Sequence, residues 1–376
     1  MVARAYLDHA STSPLRPAAL EAMLPFLREH HADPGRLHAE GKVTRVALEE
    51  AREQVAALLG AGAREVVFTA SGTEAINAAV FGAVATADHP HIVTTAVEHS
   101  AVLDACERSP ADVTVVGVDE IGRFDPDEVV AAVRDDTTLV SVQLANHEVG
   151  TIQPAGEVAA ACRERASLVH VDACMAAGHV PVDFRALDAD FCSVSAHKFG
   201  GPKGAGALLV RRGVRVAPLI VGGAQERARR GGLENVAAMV GFGAACAALA
   251  GEELAGEATT ARALVERAAE GVARVPGVQR YGDPVGAVPH LLCIGVEGIE
   301  AEPVLLGLDQ HGVAVHSGSA CSSEILEPSP ILAAMGVDAE HSLRISVGWA
   351  STSADIDLFV DAFPKVVERL RALRTG

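Results

Sequence analysis

The sequence predicts an α/β fold: a large domain with a mostly parallel, seven-stranded sheet sandwiched by helices, then a smaller α+β C-terminal domain. Three observations lead there. Short, continuous apolar runs recur with helical stretches between them, which is how strands covered on both faces of a parallel sheet read. At 376 residues the chain exceeds what one core usually holds. It is 49% hydrophobic but only 3% aromatic, and rich in glycine, a composition suited to close packing of helices on a sheet.

Tyr6 to Pro14 reads as an extended arm, and an amphipathic helix begins at Pro17. Leu37 to Leu59 predicts a second helix with Val46, Leu48, Val55, Leu58 and Leu59 on one side, closed by Gly60. Strands are then expected at Val66 to Thr69, Ile92 to Thr95, Val113 to Val118, Leu139 to Leu144, Leu168 to Val171, Phe191 to Ser195 and Ala207 to Val210. Helices fall between them at Thr73 to Val84, at Ser100 to Arg108, and after Asp125, an N-cap with Pro126 in the first helical position. A long alanine-rich helical stretch, Val236 to Arg274, leads into a region mixing strands (Leu291 to Val296, Val313 to Val315, Leu343 to Val347) with helices (Pro303 to His311, Ala354 to Leu373). The expected division is 14–250 for the large domain and 251–376 for the small one, with arm 1–13 packed on the latter.

A net charge of −18 without any lysine- or arginine-rich run argues against direct nucleic-acid or membrane-surface binding. The first residues lack the apolar core of a signal peptide, and no segment is long enough to span a bilayer. Seven scattered cysteines without a Cys-x-x-Cys pair speak against a disulfide framework or zinc knuckle, so a reducing cytoplasm and no metal centre are expected.

The chemistry gathers at a few stretches. In Ser195-Ala196-His197-Lys198-Phe199-Gly200-Gly201-Pro202-Lys203-Gly204, a lysine follows a buried strand. Such a lysine must be paired, neutralised or covalently bonded unless it reaches water; a Schiff base with a carbonyl cofactor is one answer, with Ser195 and His197 left to hold that cofactor's phosphate. Ser71-Gly72-Thr73-Glu74 opens a helix and suits either a phosphate or a plain Ser/Thr cap. Asp172 ends a strand, where it pairs with a protonated pyridine nitrogen or with a cation of the chain. His99 suits stacking on a flat ring and proton transfer, or a satisfied surface position. His316 to Ser323 is a run of small residues around Cys321, a setting that suits an accessible nucleophilic thiol. Arg344, inside an apolar strand, wants an anion: a substrate carboxylate or a structural partner.

Together these residues resemble the cysteine desulfurases, within the class V aminotransferase-like, fold-type I pyridoxal-phosphate (PLP) enzymes. The matching marks run from Tyr6-Leu7-Asp8-His9 through Phe68-Thr69-x-Ser71-Gly72-Thr73-Glu74, Glu98-His99-Ser100-Ala101-Val102-Leu103, Val171-Asp172-Ala173 and Ser195-x-His197-Lys198 to Ser317-Gly318-Ser319-Ala320-Cys321. The last resembles the long cysteine-loop subgroup, NifS- and IscS-like. The resemblance implies a homodimer in which Lys198 carries the cofactor, Asp172 meets the pyridine nitrogen, and His99 stacks on the ring as an acid/base. It further implies that Gly72, Thr73, Ser195 and His197 bind the phosphate, with Asn146 and Arg344 on the substrate. Cys321 then takes sulfur from L-cysteine as a persulfide, releasing alanine, and passes it to an acceptor protein, as in iron–sulfur cluster assembly.

Three positions depart from the family pattern. Its Asn-Asn-Glu-x-Gly reads Asn146-His147-Glu148-Val149-Gly150, the glutamine expected three residues past Asp172 is Met175, and Arg-x-Gly-Thr reads Arg230-Gly231-Gly232-Leu233. Met175 and Leu233 cannot donate the hydrogen bonds their counterparts give, which predicts a cofactor held roughly tenfold more weakly. These departures keep open a different PLP enzyme on this fold (a selenocysteine lyase, C–S lyase or transaminase) or a partner-binding homologue of weak activity.

Overall fold

Seven of the apolar runs pair into one sheet. The computed structural model describes residues 4–165, 167–317 and 328–374. After a short first strand, β1 (Ala5–Tyr6), come β2 (Val66–Thr69), β3 (His91–Thr95), β4 (Asp112–Val116), β5 (Thr137–Gln143), β6 (Leu168–Asp172), β7 (Phe191–Ser195) and β8 (Gly206–Val210). Their order across the sheet is β2-β8-β7-β6-β5-β3-β4. All neighbours are parallel except β8, which runs against both β2 and β7. Strands β2, β3, β5, β7 and β8 are buried almost throughout, which is why they read as mostly apolar runs with a few small polar residues rather than as alternation. Edge strand β4 is largely exposed instead, with Val115 about half exposed and only Val116 buried.

Helices start where the sequence supplies a side-chain acceptor for the first free N–H groups. Ser71 accepts from the Glu74 amide ahead of Gly72–Val84, His99 from Ala101 ahead of Ser100–Arg108, and Asp125 from Asp127 ahead of Pro126–Ala131. The long stretch expected at 236–274 is two helices, Val236–Ala247 and Glu253–Val272, interrupted around Gly251 at φ +66°. Val46, expected on the buried side of Ala39–Leu58, is 56% exposed. Leu48, Val55 and Leu59 do face inward, and Val46 falls off their stripe because it precedes Leu48 by only two residues.

Beyond residue 272 the chain adds β9 (Val278–Tyr281), β10 (Leu291–Val296), β11 (Val313–Ala314), β12 (His316–Ser317) and β13 (Ser342–Ser346). An antiparallel sheet of order β12-β13-β10-β9 forms there, packed with helices Glu253–Val272, Ala301–Gln310 and Ser353–Arg374. The N-terminal arm joins this part: β1 pairs in parallel with β11, and Ala5 and Leu7 are fully buried in its apolar core. Strands β9 and β12 were not legible in the sequence, since a four-residue and a two-residue strand carry almost no periodicity.

One buried ion pair fastens the segment after β8 to the sheet. Arg52 Nη1 and Nη2 lie 2.6 and 2.8 Å from the Glu226 carboxylate, which also accepts from the Phe68 amide. Glu226, Arg227 and Ala228 all have positive φ (47°, 59° and 62°), a strained run for residues with a Cβ that only firm anchoring sustains. Glu226→Ala leaves the buried Arg52 guanidinium with only the Glu49 carboxylate at 3.3 Å and the Val66 carbonyl at 3.0 Å, and is expected to lower stability by about 3 kcal/mol in urea denaturation. The Arg52→Met/Glu226→Leu double variant should lose much less; equal losses in the two would show that pairing is not what matters there.

Candidate active site

A cavity of about 210 Å³ opens at the carboxyl ends of the central strands, where ligands of open α/β sheets bind. Each strand contributes a few residues to its wall. From the end of β2 come Ser71, Gly72, Thr73 and Ile76, and from beyond β3 comes His99. Strand β5 and its following turn give Gln143, Ala145 and His147; β6 gives Asp172, Cys174 and Met175; β7 gives Ser195, His197 and Lys198. Nine sequence-predicted residues (Gly72, Thr73, His99, His147, Asp172, Met175, Ser195, His197 and Lys198) are thus brought together.

One end of the cavity is built for an anion. The free N–H groups at the start of Gly72–Val84 face it, with Ser71 Oγ accepting from the Glu74 amide at 3.0 Å. Gly72 is required by close approach: a Cβ there would lie 2.5 Å from Cys174 Sγ and 3.2 Å from Ser195 Cβ. Ser195 Oγ is buried with no hydrogen-bond partner among the described residues, a donor awaiting an acceptor. His197 Nδ1 sits 3.2 Å from Thr12 Oγ1, and burial pulls its pKa down to about 4, so near neutral pH it is an uncharged hydrogen-bonding group.

Lys198 stands on a single 3-10 turn, Ala196–Phe199, closed by Gly200 at φ +90°. This turn is clamped from behind. Arg16 Nε donates to the Phe199 carbonyl at 2.8 Å, the Arg16 amide to that of Gly200 at 2.8 Å, and Ser13 Oγ and His179 Nε2 reach the Lys198 carbonyl at 3.0 and 3.2 Å. Arg16 is fixed in turn by a two-pronged bond to Glu257. The Lys198 ammonium donates to the carbonyls of Ala10 (2.6 Å) and Ser11 (3.3 Å) in the N-terminal arm.

Across the cavity, Asp172 Oδ1 accepts from the Cys174 amide and from Ser193 Oγ, each at 3.0 Å. His99 Nδ1 accepts from the Ala101 amide at 3.0 Å; the neutral ring therefore carries its proton on Nε2. Its ring lies 4.9 Å from that of His147, tilted by 58°. Burial above all, then His99, Arg344 and Lys198, holds the His147 pKa well below the histidine range. A neutral imidazole therefore stands where the family pattern has an asparagine.

Two expected site residues, Asn146 and Arg344, are not on the cavity wall. Asn146 is fully buried behind the wall: Nδ2 donates to the Val97 carbonyl (3.1 Å) and Oδ1 accepts from the Glu148 and Val149 amides (2.8 and 2.9 Å). Its amide shapes the turn presenting His147. Arg344 is off the cavity wall, with Nη2 on Asp8 (3.1 Å) and Ser11 (2.7 Å) and Nη1 on the His147 carbonyl (2.9 Å), while its buried Nε has no partner among the described residues. Cys321 lies outside the described residues. Gln143 and Cys174 were missed; both are polar interruptions beside an apolar strand end, and that was the available signal. Glu98, also missed, is fully buried, bonded to Thr95 Oγ1 and the Gln143 amide, and burial pushes its pKa up to about 8.

Comparison with known proteins shows the family. The family model described as aminotransferase class-V matches residues 5–359. A protein of Methanosarcina thermophila named cysteine desulfurase IscS is 42% identical over 97% of this chain and 92% of its own. A solved structure of a NifS-like protein matches with a TM-score of 0.90 at 34% identity, over 98% of this chain and all of that one. A structure described as SspA in complex with cysteine matches with a TM-score of 0.81 at 28% identity, over 93% of this chain and all of that one.

Two outcomes are expected from this geometry. Gly72→Ala should cost about 1–3 kcal/mol through overpacking, and Cys174→Ala in the same chain should recover most of it, as read by urea denaturation. For Glu98, the native state holds a proton that the unfolded chain releases above its ordinary value near 4.5, so its contribution to stability falls as pH rises from there to about 8. Glu98→Gln should therefore gain stability relative to the parent at pH 8 compared with pH 5; a difference independent of pH would contradict this.

Proposed function

The chain belongs to the class V aminotransferase family and, within it, to the cysteine desulfurases, and from that membership we propose that it is a PLP-dependent L-cysteine desulfurase. One observation carries the site assignment: an ammonium, a carboxylate, a ring-proton donor and a buried hydroxyl with no partner among the described residues, Lys198, Asp172, His99 and Ser195, converge on one cavity. The residues suit the cofactor at each end. The amides of Gly72 and Thr73, the Thr73 and Ser195 hydroxyls and His197 would hold the phosphate, and Asp172 the ring nitrogen, with His99 against the ring. When bound, PLP supplies an electron sink for bond breaking next to the substrate's α-carbon.

The chain's own groups then divide the work. Lys198 would anchor the cofactor, and its amine, on a clamped turn, would take and return a proton beside the substrate's α-carbon. His99 holds a proton on Nε2, the other nitrogen being committed to its helix cap. Met175 offers no hydrogen bond, and the His147 ring is the nearby group able to give one in its place. Arg344 takes the substrate carboxylate through its fork, using the unfilled Nε and exchanging part of its bond to Asp8. Cys321, assigned here on sequence alone, attacks the substrate sulfur as a thiolate; the carbon–sulfur bond breaks toward the substrate, and protonation leaves alanine and an enzyme persulfide. The persulfide passes to an acceptor protein. The exposed apolar residues Leu219, Ile220, Val221 and Leu233 support a homodimer. No described helix is long and apolar enough to cross a membrane.

Purified protein with PLP, L-cysteine and a reductant should release alanine and sulfide in equal amounts. Lys198→Ala should abolish both, and Cys321→Ala should abolish sulfide release; persistence of sulfide in the latter would refute the persulfide role. Arg344→Lys should raise KM for cysteine tenfold or more with a smaller change in kcat, since a point charge cannot replace a fork.

A further inference from the structure

We infer that His170, buried behind the cavity and touching neither cofactor nor substrate, is a positioning residue that acts on the cofactor's ring nitrogen through Ser193 and Asp172. The inference rests on the PLP reading above.

Sheet register sets it up. Ser141 on β5 lies opposite His170 on β6, and Ser193 on β7 opposite Asp172. His170 and Asp172, two residues apart on one strand, face the same side. Ser141, His170 and Ser193 have no solvent exposure, in strands whose remaining buried positions are mostly Val, Leu and Cys. Polar side chains there are costly unless fully bonded, and these are. Ser141 Oγ lies 2.8 Å from His170 Nδ1, His170 Nε2 3.0 Å from Ser193 Oγ, and Ser193 Oγ 3.0 Å from Asp172 Oδ1.

The chain of bonds has a direction. Ser193 gives its single hydroxyl proton to the carboxylate and so accepts from His170 Nε2–H. His170 Nδ1, left as an acceptor, takes the Ser141 proton. Burial lowers the His170 pKa to about 4, consistent with the neutral ring this order needs. Every donor thus points toward Asp172, fixing Oδ1 from behind. The other titratable groups around Asp172 are Glu98 before the Ser100–Arg108 helix, Cys192 on β7, and Cys174 and Lys198 at the cavity.

The test reads the visible absorbance of PLP bound to the full-length protein as a function of pH, together with PLP affinity by equilibrium dialysis. His170→Phe and Ser193→Ala are each expected to move the pH midpoint of the band in the same direction by about one unit and to weaken PLP binding about tenfold. The double variant should do no more than either alone, and His170→Gln, which can donate and accept at similar positions, should restore most of the effect. A His170→Phe protein that titrates as the parent, or effects that simply add, would overturn the inference; should that variant fail to fold, Ser193→Ala carries the same decision. A parent protein forming no such band would overturn the cofactor reading, and this inference with it.

Discussion

The rest of the site depends on how the turn carrying Lys198 is held. A flexible amine at the end of a buried strand has many rotamers, and a reaction centre needs few of them. Here the backbone beneath the amine is fixed: Arg16 takes two carbonyls of the turn, Ser13 and His179 the Lys198 carbonyl, and a glutamate from a later helix steadies Arg16. Gly200, in the left-handed region, ends the turn after one revolution and sends the chain away from the cavity. The arm and both halves of the chain meet at this point, so the amine's position reports on the whole tertiary structure.

The electrostatics follow from burial. His147, His170, His179 and His197 are all pushed toward the neutral form by desolvation. Neutral imidazoles bridge donors and acceptors without adding like charges beside Lys198. A histidine at 147 is therefore compatible with a site whose relatives' pattern uses an amide there. It brings a second ring against His99, and Met175 supplies apolar surface where a hydrogen bond would otherwise be.

Most of the large sheet was legible because strands buried on both faces are continuous apolar runs bounded by helix caps. Phe191–Ser195 and Ser100–Arg108 match expectation at both ends. Strand β4 ended two residues early, as Gly117 and Val118 leave the sheet's edge. The nine cavity residues were named mainly through the family resemblance, with Lys198, Ser195, His197, Asp172, His99 and Thr73 also marked by their place at strand ends or a helix start, which the fold gathers at the carboxyl ends of the central strands. For Asn146 and Arg344 the sequence reveals a buried polar group but not which neighbours hold it: Val97 and the Glu148 and Val149 amides for the first, Asp8, Ser11 and the His147 carbonyl for the second. His170 passed unremarked for the same reason. Its meaning lies in the register of three strands far apart in sequence, which no local pattern encodes.

The arm from Ala5 to Ser13 has a further consequence, for biosynthesis. These residues leave the ribosome roughly 300 positions before their partners, as β1 pairs with Val313–Ala314 and the segment beyond it with Ser346 and Arg344. The large sheet can form while its amine still lacks the Ala10 and Ser11 carbonyls in their final place. Docking of the arm thus comes last, and a polypeptide released early would hold a nearly complete sheet around an unfinished reaction centre.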